Sequence, residues 1–366
     1  MNLLKALEVS FRRMLIRLLR GFSRRSRPLP TDWDFDSSKF LFVRQDRIGD
    51  VLVSTPLFHA IKKRYPKAVL DVVLSPNNVM AIGNEQLVRT RWVYRKNPIA
   101  AIALIRRLRR QKYDFVIDLM DNPSATSTLL VLTSGGSWTI GLEKSNAYAY
   151  DIVVPLLSRT DVHIVERIAA ILTVFGIEPI HERLQIRYET TKESDRRAED
   201  LLRESRASTR QVVAINISAG SETRFWGIEN YKSLLKKLRE RIPTCSFLLL
   251  HKATDGTRAR EIASAVPNVL VPPKTSFDEF AALIKHSDIL ITPDTAAVHL
   301  AAAFDIPSIV LYVQSDPTLR IWEPYGSLAE CLVTPVDDLT TISVGQVVEA
   351  FERLQRRMES QDASHE

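Results

Sequence analysis

The run Ile289-Leu-Ile-Thr-Pro-Asp294-Thr295-Ala-Ala-Val-His299-Leu-Ala-Ala-Ala-Phe304 sets the architecture of this chain. Asp288 to Thr292 is apolar enough for a strand buried on both faces. Pro293 ends it, Asp294-Thr295 supply a helix cap, and an Ala-rich helix follows. After Pro307 a second apolar run extends from Ser308 to Val313. Strand, helix, strand of this kind is a βαβ unit of a parallel sheet. Its first loop lies at the carboxyl end of a strand, where open parallel sheets bind ligands, and the free N–H groups of a helix start favour anions. Asp294-Thr295 is therefore either an ordinary cap or part of an anion site. His299 is either a packed helix residue or a ligand.

The chain has 366 residues, enough for two domains, and its 45% apolar and 25% charged content is that of a soluble globular protein. Cys245 and Cys331 both fall in or beside apolar runs and read as core thiols of a reducing compartment. The formal charge of +7 is localised. Lys5, Arg12, Arg13, Arg17, Arg20, Arg24, Arg25 and Arg27 stand against Glu8 alone, so residues 1–27 carry the whole excess and the rest is balanced. That distribution argues against a nucleic-acid-binding body.

Leu4, Leu7, Phe11, Met14, Leu15, Leu18, Leu19 and Phe22 recur at spacings of three and four, giving residues 2–22 one apolar helical stripe with arginines mostly opposite. The segment is too often interrupted by arginine to span a membrane or serve as a signal peptide. It suits either an anionic membrane surface or packing on the protein itself. Residues 28–38, with Pro28 and Pro30, read as a linker. Asp32, Asp34 and Asp36 precede the first strand, the wrong place for a metal-binding acidic motif.

The first domain opens on the strand Lys39–Arg44, followed by Gln45-Asp46-Arg47-Ile48-Gly49-Asp50 and a helix over Val51–Tyr65 that Pro56 bends or interrupts. Gly49 permits a tight turn, and Asp50 lies at the helix start, as a cap or as a carboxylate presented at the sheet's mouth. One glycine replaces the three of a dinucleotide fingerprint. Strands at Val69–Leu74, Trp92–Tyr94, Phe115–Leu119 and Thr139–Gly141 alternate with helices at Ile99–Gln111 and His163–Phe175. Arg89, Arg91, Arg95 and Lys96 surround Trp92 and Tyr94, either as a solvated face or as a grip on an anionic substrate. After the charged helix of residues 191–206 a second series begins with Val212–Ile217. It runs into Ser218-Ala-Gly220-Ser221-Glu-Thr-Arg224-Phe-Trp226. Gly220 and Ser221 let backbone N–H groups approach a ligand and Arg224 adds a cation. With Asp294-Thr295 on the same sheet edge this makes a diphosphate site.

Three stretches carry a resemblance: Arg44-x-x-x-x-Gly49-Asp50-Val-Leu-x-x-x-Pro56, the loop ending Arg224-x-Trp226, and Asp294-Thr295-x-x-x-His299-Leu-x-Ala-Ala. In order and separation they resemble the ADP-heptose:lipopolysaccharide heptosyltransferases, family 9 of the GT-B glycosyltransferases, over roughly residues 39–355. The resemblance implies that Asp50 is the general base and that Arg224 replaces the family's lysine at the donor phosphates. It further implies that Asp294, Thr295 and the Ala296 amide contact the nucleotide sugar, with Ala296 standing where the family has glycine. Asp255 is the acidic residue available for the ribose hydroxyls, and Arg95 and Lys96 lie where relatives hold anionic groups of the acceptor.

The expectation is an α/β GT-B chain of two Rossmann-like domains whose parallel sheets face across a cleft. Residues 1–27 form the basic helix, 28–38 the linker, 39–190 the acceptor-side domain, 191–342 the nucleotide-sugar domain and 343–366 a terminal helix and tail. The donor set is Gly220, Ser221, Arg224, Asp255, Asp294, Thr295, Ala296 and His299; the acceptor set is Arg95 and Lys96. The expected activity is inverting transfer of a sugar, heptose from ADP-heptose, to a lipopolysaccharide core or similar membrane glycolipid. No metal or other cofactor and no nucleic acid take part. The enzyme would sit on the inner face of the cytoplasmic membrane, held to the anionic surface by residues 1–27. The alternatives are another nucleotide sugar, or a relative that binds glycan or nucleotide without catalysis.

Overall fold

Two six-stranded sheets, one in each half of the chain, are parallel throughout. In this computed structural model, residues 19–23, 27–208 and 211–365 are described. Contacts divide the protein into Met1–Leu184 and Gln185–Glu366. The segment just after the division belongs to the second unit because Tyr188 donates to Asp278 and packs edge-on against Phe277 and Phe304.

The first unit contains β1 (Lys39–Val43), β2 (Val69–Leu74), β3 (Val88–Val93), β4 (Phe115–Asp118), β5 (Trp138–Leu142) and β6 (Ile152–Val154), in the order β3-β2-β1-β4-β5-β6. The second contains β7 (Gln211–Asn216), β8 (Cys245–Leu250), β9 (Val269–Leu270), β10 (Ile289–Pro293), β11 (Ser308–Val313) and β12 (Ala329–Thr334), in the order β9-β8-β7-β10-β11-β12. Both orders reverse direction once, between β1 and β4 and between β7 and β10. Ligands of open α/β sheets bind outside the carboxyl ends of the strands at such a switch.

Apolar side chains on both faces explain the parallel pairing, since Phe40, Leu41, Phe42 and Val43 of β1 are all buried. Around the sheets lie α1 (Ile48–Leu52), α2 (Thr55–Arg64), α3 (Pro98–Gln111), α4 (Ala125–Thr133), α5 (Ile164–Ala169) and α6 (Lys192–Ser208). In the second unit follow α7 (Ile228–Arg241), α8 (Gly256–Ala263), α9 (Phe277–Lys285), α10 (Ala296–Phe304) and α11 (Val344–His365). The single helix expected over Val51–Tyr65 is two, because Pro56 lacks an N–H and occupies the first turn of α2. The helix expected over His163–Phe175 is α only to Ala169, then tightens to a 3₁₀ turn that stops at Gly176 with φ +65°. The Ser343/Gln346 capping box is present at the start of α11.

Most of the basic helix expected over residues 1–27 lies outside the described residues. Its described end is fastened to the first unit. Arg27 pairs with Asp151 at 3.3 Å and stacks 3.9 Å above the Trp138 ring. The expected linker is also built in, for Trp33 and Phe35 both pack against Phe115. Asp34 and Asp36 accept backbone N–H groups of Asp36, Ser37 and Lys67, so they shape turns. Among the described residues no helix is long and apolar enough to cross a membrane.

Gly141 in β5 exists for close approach. A Cβ there would stand 2.4 Å from the Tyr150 ring, whose hydroxyl donates to Asp118 at 2.6 Å. Gly141→Ala should displace the ring and cost about 1–3 kcal/mol through overpacking. Chemical denaturation checks this, and a midpoint equal to that of the unmodified protein would refute the packing account.

Candidate functional site

At the first switch point the chain buries an arginine. Arg44, the residue after β1, is 0% exposed. Its Nε donates to the Asp50 carbonyl at 2.8 Å and its Nη1 to the Leu119 carbonyl at 2.5 Å, so one guanidinium joins the segments that leave β1 and β4. Asp46 lies 3.4 Å away and the Asp50 carboxylate 3.5 Å. Burial works against the cation, but Asp46, then Asp50, Asp121 and Asp118, hold its pKa above the ordinary arginine value. Asp50 itself is 6% exposed, and its Oδ2 accepts the Arg47 N–H at 3.1 Å in a capping box. Asp50 is thus a helix cap by one oxygen, while the other faces Arg44.

The β4 side of this switch point adds a second charged cluster. Asp118 accepts from Ser127, Tyr150 and the backbone of Met120, and pairs with Lys144 at 3.3 Å. Burial draws the Lys144 ammonium below its ordinary pKa, with Asp118 opposing. Arg159 and Arg167 both lie 3.6 Å from Asp121. These residues went unnoticed in the sequence because their partners are far along the chain.

The basic-aromatic stretch divides. Arg89 forks onto the buried Asp71, and Arg91 donates to the carbonyls of Ile82, Val88 and Glu85. Trp92 donates to Tyr113, which in turn donates to Asp71. Those side chains hold the β3 edge together. Arg95 and Lys96, in the loop after β3, are exposed at the carboxyl edge of the sheet.

At the second switch point the centre is a neutral amide. Asn216 ends β7 and is 1% exposed; its Nδ2 donates to the hydroxyls of Thr292 at 3.0 Å and Thr295 at 3.2 Å. Its Oδ1 accepts the Ser218 N–H at 3.1 Å. Asn216 therefore ties the start of the small-residue loop to the cap of α10, where the Thr295 hydroxyl accepts the Ala297 N–H. Arg224 reaches across to Asp294 at 3.1 Å, with both side chains about a third exposed. A Cβ at Gly220 would meet nothing within 4 Å, so open space lies beside the loop. Ser221 is exposed, and Ala296 is the first residue of α10.

Asp255 and His299 sit deeper. Asp255 accepts from the Ser218 hydroxyl at 3.0 Å and lies 3.7 Å from Lys252, whose Nζ also donates to the Ala219 carbonyl. Lys252 is a second cation beside the loop, and no motif pointed to it. His299 is 3% exposed, its ring 6.3 Å from that of Trp322. Trp226 is 0% exposed and donates to the Ile342 carbonyl at 2.8 Å, which anchors the loop from below. Among the described residues no group of three or more His, Cys, Asp or Glu is arranged to hold a metal. Cys245 and Cys331 are free thiols whose pKa values burial pushes up to about 11 and about 12.

A family description, glycosyltransferase family 9 (heptosyltransferase), matches residues 101–346. The chain belongs to this family. Lipopolysaccharide heptosyltransferase 3 of Escherichia coli strain K12 is 25% identical over 299 residues, which cover 76% of this chain and 82% of that protein. Among solved structures, the family 9 glycosyl transferase of Veillonella parvula DSM 2008 superposes with a TM-score of 0.75 at 18% identity, covering 88% of this chain and 98% of its own. The E. coli ADP-heptose lipopolysaccharide heptosyltransferase II gives 0.70 at 21% identity, with 88% and 99% covered. The family 9 protein thus has the GT-B fold, two Rossmann-like units of parallel sheet, and is a glycosyltransferase.

Within this glycosyltransferase Asp46 has a measurable signature. Burial pushes its carboxyl up to about 7 against the pull of Arg44, and Asp50 adds to the shift. The folded state then keeps a proton that the unfolded chain releases at its ordinary value of 3.8, so stability falls as pH rises between these values. Asp46→Asn abolishes that dependence. The wild type should lose at least about 1 kcal/mol relative to the variant between pH 5 and pH 8. Urea midpoints at both pH values decide it; parallel profiles would refute the raised pKa of this carboxyl.

Proposed function

We propose that this glycosyltransferase moves a heptose from ADP-heptose to the lipopolysaccharide core or a similar membrane glycolipid, with inversion at the anomeric carbon. The observation that carries the reading is Arg224 held at Asp294 beside the open Gly220-Ser221 turn and the start of α10. A nucleoside diphosphate leaving group gains negative charge as the glycosidic bond breaks. A guanidinium and the free N–H groups of Thr295 and Ala296 stabilise that charge without reorganising. Lys252 adds a neighbouring cation and Asp255 fixes the turn from behind, on the side we assign to the ribose. His299 backs the helix start.

In the first unit Asp50 takes the proton of the acceptor hydroxyl. One oxygen of its carboxylate lies 3.5 Å from the buried Arg44 guanidinium, which fixes the direction the group faces. Such proton transfer contributes about 10²–10⁴-fold. Arg95 and Lys96, exposed on the same sheet edge as the β1 loop, bind anionic groups of the acceptor. Fixed cations and amides do the work a metal ion does in other transferases, so the reaction needs none. The heptosyltransferase relatives support this choice of donor and acceptor, and residues 1–27 hold the enzyme at an anionic membrane on its cytoplasmic side.

Asp50→Asn should retain ADP-sugar affinity and lose about 10²-fold or more in turnover. Single-turnover assays beside calorimetry separate the two effects, and turnover within a few-fold of wild type would remove Asp50 from the mechanism. Arg224→Ala should weaken binding of ADP-sugar about tenfold or more, because it deletes a charge-assisted contact and leaves Asp294 facing the phosphates. Arg224→Lys should recover much of that loss. Titration against ADP-, UDP- and GDP-sugars tests the donor as well: unchanged affinity in the alanine variant relocates the phosphate site, and a preference for UDP or GDP reassigns the nucleotide.

A further inference from the structure

Outside both switch points the strongest unassigned feature of the first unit is the outer face of α3. The helix buries Leu104 and Leu108 against the sheet and leaves the opposite stripe in solvent. That stripe begins with Ile99 and Ile102, 79% and 51% exposed, and Ala103, and continues at helical spacing with Arg106 and Arg110. Arg107 and Arg109 flank it, Arg95 and Lys96 precede it and Lys112 closes it. Residues 95–112 therefore carry these seven cations and no acid. Among the described residues none of the seven enters an ion pair, whereas neighbouring Arg89 is tied to Asp71. An exposed apolar turn ringed by uncompensated cations matches one surface chemistry, an anionic headgroup layer over hydrocarbon.

Two placements strengthen the match. The apolar turn is the amino end of α3, at the carboxyl edge of the sheet, the same edge that carries Asp50. The basic N-terminal segment joins the protein on the same layer. Leu19 is buried there and the Arg20 guanidinium lies 5.7 Å from the Tyr148 ring centroid. Tyr148 packs against the core cluster that contains Leu104 and Leu108 of α3.

We infer that the exposed face of α3 is a docking surface for an anionic lipid bilayer, with Ile99 and Ile102 entering the interface and the arginines lying among the headgroups. The surface is formed by residues later in the sequence than the basic segment 1–27, and it rests on the proposed function only in that the acceptor is lipid-held. Binding there sets the sheet edge bearing Asp50 toward the lipid.

The test uses the full-length chain and sedimentation with phosphatidylglycerol–phosphatidylcholine vesicles, with pure phosphatidylcholine as the reference. Ile99→Asp/Ile102→Asp and, separately, Arg106→Glu/Arg110→Glu should each weaken partitioning onto the anionic vesicles about tenfold or more, since each cation near such a surface is worth roughly fivefold. The charge-reversal pair should also flatten the salt dependence. Both pairs are exposed, so melting temperature and turnover on a soluble acceptor fragment should stay at wild-type values. The milder Ile99→Ser/Ile102→Ser pair serves if the aspartates disturb folding. Wild-type partitioning in both sets of variants overturns the proposal and leaves any membrane contact to residues 1–27. A change in sedimentation coefficient without loss of vesicle binding also overturns it, assigning the face to contacts between copies. Loss of turnover on the soluble fragment in Asp50→Asn reads the catalytic proposal independently of either result.

Discussion

A fully buried guanidinium needs partners on every side, and the arrangement around Arg44 follows from meeting that need. Its two shorter hydrogen bonds go to main-chain carbonyls of Asp50 and Leu119, so the cation fixes the two loops that leave the middle strands of the first sheet. The carboxylates of Asp46 and Asp50 then gather around a charge that cannot move away. Lys144 and Asp118 repeat the device one strand over, with Tyr150 and Ser127 satisfying the remaining lone pairs. Clusters of this kind give little net stability, but removing one member strands the rest in a poor dielectric. They hold positions well for that reason.

The second unit solves the same topological problem with a neutral group. Asn216 stands where Arg44 stands, at the carboxyl end of the strand beside the switch, and it too links two loops. An amide does so without adding charge, and the cations nearby, Arg224 and Lys252, remain partly exposed. One unit therefore concentrates buried carboxylates and the other keeps solvent-facing cations around a helix start. The two switch points therefore differ in charge as well as in how they are braced.

Much of this was legible from local signals. A proline after an apolar run, a capping pair and a glycine at a tight turn located the loops after β1, β7 and β10, since backbone preferences act within a few residues. Less visible were elements whose stability comes from distant packing. Strand β12 mixes Glu330 and Cys331 into a half-exposed edge, and β6 is only three residues long. The first turn of α9 carries a local capping box, Ser276 with Glu279. The roles of Lys144, Arg167 and Lys252 depend on partners brought near by the sheet, and no spacing rule encodes them. Arg91 shows the converse: a basic side chain that looked available for ligand is committed to carbonyls beneath its own strand.

The indole of Trp226 has a mechanical consequence. It is clamped in the core and tied to the Ile342 carbonyl, so the loop bearing Arg224 has a stationary end only two residues beyond its cation. Asn216 holds the other end. The arc between them is tied again at the Ala219 carbonyl by Lys252 and at Arg224 by Asp294, while a Cβ at Gly220 would meet nothing within 4 Å. An arc held at this many points is a fixed platform for the side chains it carries. Change along this loop is therefore a matter of side-chain identity, with its span and anchorage left constant.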